Sequence, residues 1–102
     1  MKRNKMGKIL IVDDEKEVRE VIDAFLKKEN YKTLLASDGT EAIKLITEST
    51  DIDVMILDNK MPGLSGLEVL SALEKNGIKI PTILLTGSIG VEDDEVAPYQ
   101  AA

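Results

Sequence analysis

Two consecutive aspartates, Asp13 and Asp14, close an apolar run, Lys8-Ile9-Leu10-Ile11-Val12, and Asp58 closes a second, Val54-Met55-Ile56-Leu57. Runs of this kind are typical of strands buried on both faces of a parallel sheet. If the two strands are parallel neighbours, their carboxyl ends lie side by side, where open α/β sheets collect ligands. Three carboxylates brought together there repel one another unless a cation sits among them. The residue types therefore predict a site for a hard divalent metal, and beside it an aspartate able to accept a phosphoryl group.

The rest of the chain must hold those strands in place. Val18, Val21, Ile22, Phe25 and Leu26 recur at i, i+3, i+4, i+7 and i+8, one apolar stripe of a helix. Asp14 and Glu17 have the spacing of an N-terminal cap for it, a role compatible with metal binding, and Asn30 is a stop. A strand is predicted over Tyr31–Ala36, more polar at its start, as an edge strand can be. Asp38 and Glu41 open a second helix with Ala42, Ile43, Leu45 and Ile46 on its apolar face. A strand over Asp53–Leu57 leads into the turn-rich Asn59-Lys60-Met61-Pro62-Gly63-Leu64. Ser65 and Glu68 then open a third helix carrying Leu67, Val69, Leu70 and Leu73, which Asn76-Gly77 ends. The last predicted strand is Ile80–Leu85, with Pro81 near its start, where a missing N–H is tolerable. Strands alternating with helices imply right-handed βαβ crossovers, hence a parallel sheet with helices on both faces.

Composition narrows the function classes. The chain of 102 residues has a formal net charge of −6 and a pI near 4.6. That acidic balance argues against nucleic acid as a partner of the domain, since phosphate backbones demand clustered Lys and Arg. With no cysteine and no histidine, thiolate sites and histidine relays are excluded within the chain. No apolar run approaches the roughly 20 residues needed to span a bilayer. The start, Met1-Lys2-Arg3-Asn4-Lys5-Met6-Gly7, leads into nothing resembling a signal peptide. The expectation is a cytoplasmic domain without membrane contact, preceded by a basic tail over residues 1–7.

Three segments in this order, Ile9 to Glu15, Ile56 to Gly63 and Leu84-Leu85-Thr86-Gly87, resemble the receiver domain of bacterial response regulators. Gly66-Leu67-Glu68-Val69-Leu70 fits the helix after that family's Met-Pro-Gly loop, and the resemblance runs from Lys8 to about Gly90. It implies a flavodoxin-like fold with sheet order 2-1-3-4 and a signalling domain that is not an enzyme. It further implies Asp58 as phosphoacceptor and Mg²⁺, or Mn²⁺, held by Asp13, Asp14, Asp58 and the backbone carbonyl of Lys60. Thr86 is the implied switch hydroxyl, and a histidine kinase or phosphotransfer protein the implied phosphodonor. Such chemistry suits the residues: Mg²⁺ takes carboxylates, waters and phosphate oxygens, and a carboxylate can form an acyl phosphate.

Departures from the family pattern lie at the end of the sequence. Receivers usually continue through the fourth helix, a fifth strand bearing a Lys-Pro pair and a fifth helix. Here the lysines after Asp58 are Lys60, Lys75 and Lys79, and none corresponds to the family lysine. The expectation is thus a receiver truncated in its fourth helix, with impaired phosphorylation. The alternative function is a phosphorylation-impaired interaction module, self-associating through the apolar 80–85 edge and the 92–102 segment. A phosphatase of the aspartate-nucleophile class is disfavoured because Lys60 stands where its second aspartate would be. A flavin or nucleotide domain is disfavoured because Asp13-Asp14-Glu15 repels phosphate where a Gly-rich cradle would bind it.

Overall fold

The protein is described from a computed structural model, over residues 7–49 and 51–85. Its elements follow in strict alternation: β1 (Lys8–Val12), α1 (Lys16–Lys28), β2 (Lys32–Ala36), α2 (Gly39–Glu48), β3 (Val54–Asp58), α3 (Gly66–Lys75) and β4 (Thr82–Leu85). The four strands form one parallel sheet of order β2-β1-β3-β4, the order and fold class predicted from the sequence. Strand bounds shift by a residue or two. β2 starts at Lys32 rather than Tyr31, β3 runs to Asp58, and β4 starts at Thr82 because Pro81 contributes only its carbonyl, which accepts from Met55 N–H at 2.9 Å.

Alternate residues of the strands feed two separate cores, as the twofold period of a strand dictates. Leu10, Val12, Met55 and Leu57 point to one face, where Ala42 and Ile46 of α2 and Val69 and Leu73 of α3 cover them completely. Ile9 and Ile11 point to the other, against Leu26 and Ile22 of α1, with Val54 and Ile56 packed alongside. Helices on both faces follow directly.

The helix ends show which local signals operate. Asp38 accepts from Glu41 N–H at 2.8 Å, while the Glu41 carboxylate turns to Ser37 N–H at 2.8 Å. Ser65 and Glu68 form the predicted capping box in full. The predicted Asp14 cap of α1 does not form: Glu15 occupies the N-cap position without a side-chain hydrogen bond. Its backbone N–H is taken instead by the Asp13 carboxylate at 2.9 Å. Asn30 ends the α1 segment as expected, in the left-handed region at φ 71°, where asparagine is among the tolerated residues.

Two apolar stripes are less covered than their periodicity implies. On α1, Leu26 is buried but Val21 and Phe25 are exposed by 69% and 62%; on α3, Leu67 is exposed. A 3.6-residue period defines a face and leaves open how much of it a neighbour reaches.

Candidate functional site

Register places the acidic residues together. β1 and β3 run parallel with Val12 opposite Leu57, so Asp13 and Asp58 leave adjacent strands at the same level. Carboxylate oxygens of Asp13, Asp14 and Asp58 all lie within 4.8 Å of one another. Asp13 is buried, Asp14 exposed and Asp58 partly buried at its strand end.

Asp13 is the most constrained of the three. Its N–H donates to Ala36 O of β2 at 3.2 Å, its carboxylate accepts from Glu15 N–H, and its carbonyl accepts from Arg19 Nη1 at 2.8 Å. Arg19, a half-buried cation on α1, thus holds the backbone of the acidic pair. The sequence does not mark it as part of the site; its only signal there is a cation one helical turn beyond an acidic triplet.

Asp58 sits against Leu85 in the β3–β4 register, and its carboxylate accepts from Lys60 N–H at 3.3 Å. Partial burial, then the charges of Asp13, Asp14 and Glu15, hold its carboxyl above the usual aspartate range, with the Lys60 N–H pulling the other way. Burial and neighbouring negative charge both disfavour the ionised form of a carboxylate. Thr86, which follows Leu85 directly, and the 92–102 segment lie outside the described residues.

The loop after Asp58 is closed by Asn59, a second residue that the sequence presents only as part of a turn. Asn59 N–H donates to Leu85 O at 3.0 Å, its carbonyl accepts from Gly66 N–H at 2.9 Å, and its Oδ1 accepts from Leu67 N–H at 3.1 Å. Gly66 lies so close that an added Cβ would stand 2.7 Å from Asp58 O and 2.9 Å from Asn59 Cα.

The donor set fits a hard cation. All three side chains offer oxygen, and octahedral Mg²⁺ with bonds of about 2.1 Å would space its ligands about 3 to 4 Å apart. The carboxylate oxygens all lie within 4.8 Å of one another, close enough to share one such ion.

Among the described residues, a 2-1-3-4 parallel sheet carries an acidic cluster at its carboxyl edge, and the comparisons identify its family. Residues 9–101 match the response regulator receiver domain, and the chain belongs to that family. The response regulator SaeR of Staphylococcus aureus is 35% identical over 88 residues, covering 86% of this chain and 38% of that protein. The chain therefore spans well under half the length of the curated relatives it matches. Among solved structures, the Francisella response regulator 1452 receiver domain has a TM-score of 0.78 at 30% identity, covering 94% of this chain and 78% of that one. The response regulator protein TrrA of Thermotoga maritima, solved in complex with Mg(2+)-BeF, has a TM-score of 0.67 at 29% identity, with 91% and 98% covered.

Membership corrects one expectation. The sequence leads to a chain without enzymatic character, whereas a response regulator receiver carries a phosphoacceptor activity of its own. Among the described residues, no helix is long and apolar enough to cross a membrane.

Proposed function

We propose that this domain accepts a phosphoryl group on Asp58 from the phosphohistidine of a histidine kinase or phosphotransfer protein, with Mg²⁺ bound beside it. The observation that carries this reading is the convergence of the three carboxylates, with Asp58 the one held above its usual range. In the reaction an Asp58 oxygen attacks phosphorus, the P–O bond forms, and the P–N bond to the donor imidazole breaks. The imidazole nitrogen leaves with the bonding pair and takes up a proton. Asp13, Asp14, Asp58 and the Lys60 carbonyl are the residues that would hold the metal. When bound, Mg²⁺ neutralises the charge gathered on the phosphoryl oxygens. Asp13 is fixed for this by its hydrogen bonds to Glu15 and Arg19. Support for the cation comes also from TrrA, solved with Mg(2+)-BeF. Mn²⁺ meets the same oxygen donors.

Intact mass after incubation with a small acyl-phosphate donor tests the reading. One phosphoryl group should be added in Mg²⁺ and none in chelator, and reductive trapping should place it on Asp58. A label on any other residue refutes the assignment.

A second reading has its own observation. Among the described residues β4 pairs only with β3, and its Ile83 is 55% exposed. An apolar strand edge of this kind is a template for pairing with another chain, which supports self-association through residues 80–85. Sedimentation over a concentration series tests it: a single monomeric species throughout removes it.

A further inference from the structure

We propose that Asn59 is a positioning residue of the acidic site, tying the start of α3 to the strand end that carries Asp58; this rests on the function proposed above. The first turn of a helix leaves backbone N–H groups without intrahelical partners. In α3 they are all accounted for. Ser65 N–H donates to Glu68 Oε1, Gly66 N–H to Asn59 O, Leu67 N–H to Asn59 Oδ1 and Glu68 N–H to Ser65 Oγ. Ser65 is the ordinary cap, adjacent to the helix. Asn59 is the unusual one, because it reaches the helix from across the loop and is bonded directly to Asp58.

The consequence for the site follows from the peptide plane between Asn59 and Lys60. Its carbonyl end is held by Gly66 and its N–H end points to the Asp58 carboxylate at 3.3 Å. The preceding N–H is held by Leu85 of β4. Gly66 permits this approach, since any Cβ there would strike Asp58 O. The peptide that steers the Asp58 carboxylate, and precedes the Lys60 carbonyl, is therefore clamped to β4 and α3. The Asn59 side chain is the part of that clamp that substitution can remove.

The test compares two caps of one helix. Asn59→Ala removes the Leu67 acceptor beside the site, and Ser65→Ala removes the Glu68 acceptor away from it. Mg²⁺ affinity of each is read from amide chemical shifts. Asn59→Ala should weaken Mg²⁺ on the order of tenfold, as loss of a group supporting metal ligands does, while Ser65→Ala stays near wild type. Asn59→Asp, which keeps the acceptor, should restore slow exchange at the Leu67 amide. In the wild type, added Mg²⁺ should slow exchange at Leu67, a measurement that needs no variant to fold. Equal Mg²⁺ affinity in the two alanine variants, or Leu67 exchange indifferent to Mg²⁺, overturns the proposal. Wild-type protein that binds no Mg²⁺ is a different result: it removes the metal reading and this inference with it.

Discussion

The two faces of the sheet are built from alternate residues of the same strands, yet they are finished very differently. On the α2–α3 face, Leu10, Val12, Met55 and Leu57 are wholly excluded from water, and Val69 lies over them equally buried. Among the described residues of the α1 face, only Ile9, Ile11 and Leu26 are buried, while Val54 and Ile56 are partly covered and Ile83 is exposed. Of the described helices, α1 packs on this face and α2 and α3 on the other. The closed face also carries the loop end of the site through Met61, which joins its core. Among the described residues the α1 side is thus the more open of the two, with Phe25 and Ile83 exposed.

The sharpest way to break that contrast is to truncate one residue on each face. Leu57→Ala should cost about 2 to 5 kcal/mol, the range for a large-to-small change in a closed core. Ile83→Ala should cost less than about 1 kcal/mol, because most of its surface is in water already. Urea unfolding of the two variants measures both, and similar losses would mean that the α1 face is as well packed as the other.

Next in size is Gly66→Ala. The new methyl group meets backbone atoms, Asp58 O at 2.7 Å and Asn59 Cα at 2.9 Å, and neither can rotate away. A cost of about 1 to 3 kcal/mol is the usual scale for forced overpacking. Because the displaced backbone belongs to the site, Mg²⁺ binding should weaken as stability falls. A loss of stability with unaltered Mg²⁺ affinity would separate the closed face from the site.

Much of this arrangement is legible in the residues themselves. The alternation of apolar runs with helical stripes leads to a parallel sheet with helices on both faces, the resemblance to receivers supplies its 2-1-3-4 order, and the placement of Asp13, Asp14 and Asp58 at strand ends leads to their convergence. What is not legible depends on distances that spacing does not encode. Asp14 and Glu17 have the offset of a cap, but the Asp13 carboxylate reaches Glu15 N–H first. Asn59 has the character of a turn residue, because its partners Leu67 and Leu85 become neighbours only when α3 and β4 are in place. The stripe Val18 to Leu26 is one face in sequence and fold alike, whereas its division into buried Leu26 and exposed Phe25 is not encoded in the spacing.

A smaller effect, and one of opposite sign, is expected from Asp58→Asn. The folded-state pKa of Asp58 is raised by burial and by Asp13. Between the unfolded value and that raised value the native state binds more protons than the unfolded one. Without metal, then, stability should fall as pH climbs through this window and stay lowered above it. Asp58→Asn removes the charge, so at neutral pH the metal-free variant should melt higher than wild type, with little pH dependence from this position. Added Mg²⁺ should raise the melting temperature of wild type and leave that of the variant unmoved. A variant that melts lower without metal would show that the Lys60 N–H bond outweighs the repulsion.

Smallest in stability, and most informative about the open face, is Phe25→Ser. Phe25 is 62% exposed on α1, and surface substitutions of this kind usually change stability by no more than about 0.5 kcal/mol. The monomer's melting temperature should therefore barely move. Any effect must come from what exposed aromatic surface does between molecules, where large apolar patches favour association. If copies meet through the α1 face, Phe25→Ser should shift the sedimentation profile toward monomer at equal concentration. If they meet through the β4 edge alone, the profile should stay unchanged by Phe25→Ser and respond to Ile83→Lys, whose charge on an edge strand opposes pairing. The two variants together locate the contact on one part of the open face or the other, and a wild-type profile that is monomeric at every concentration leaves that face without a second copy on it.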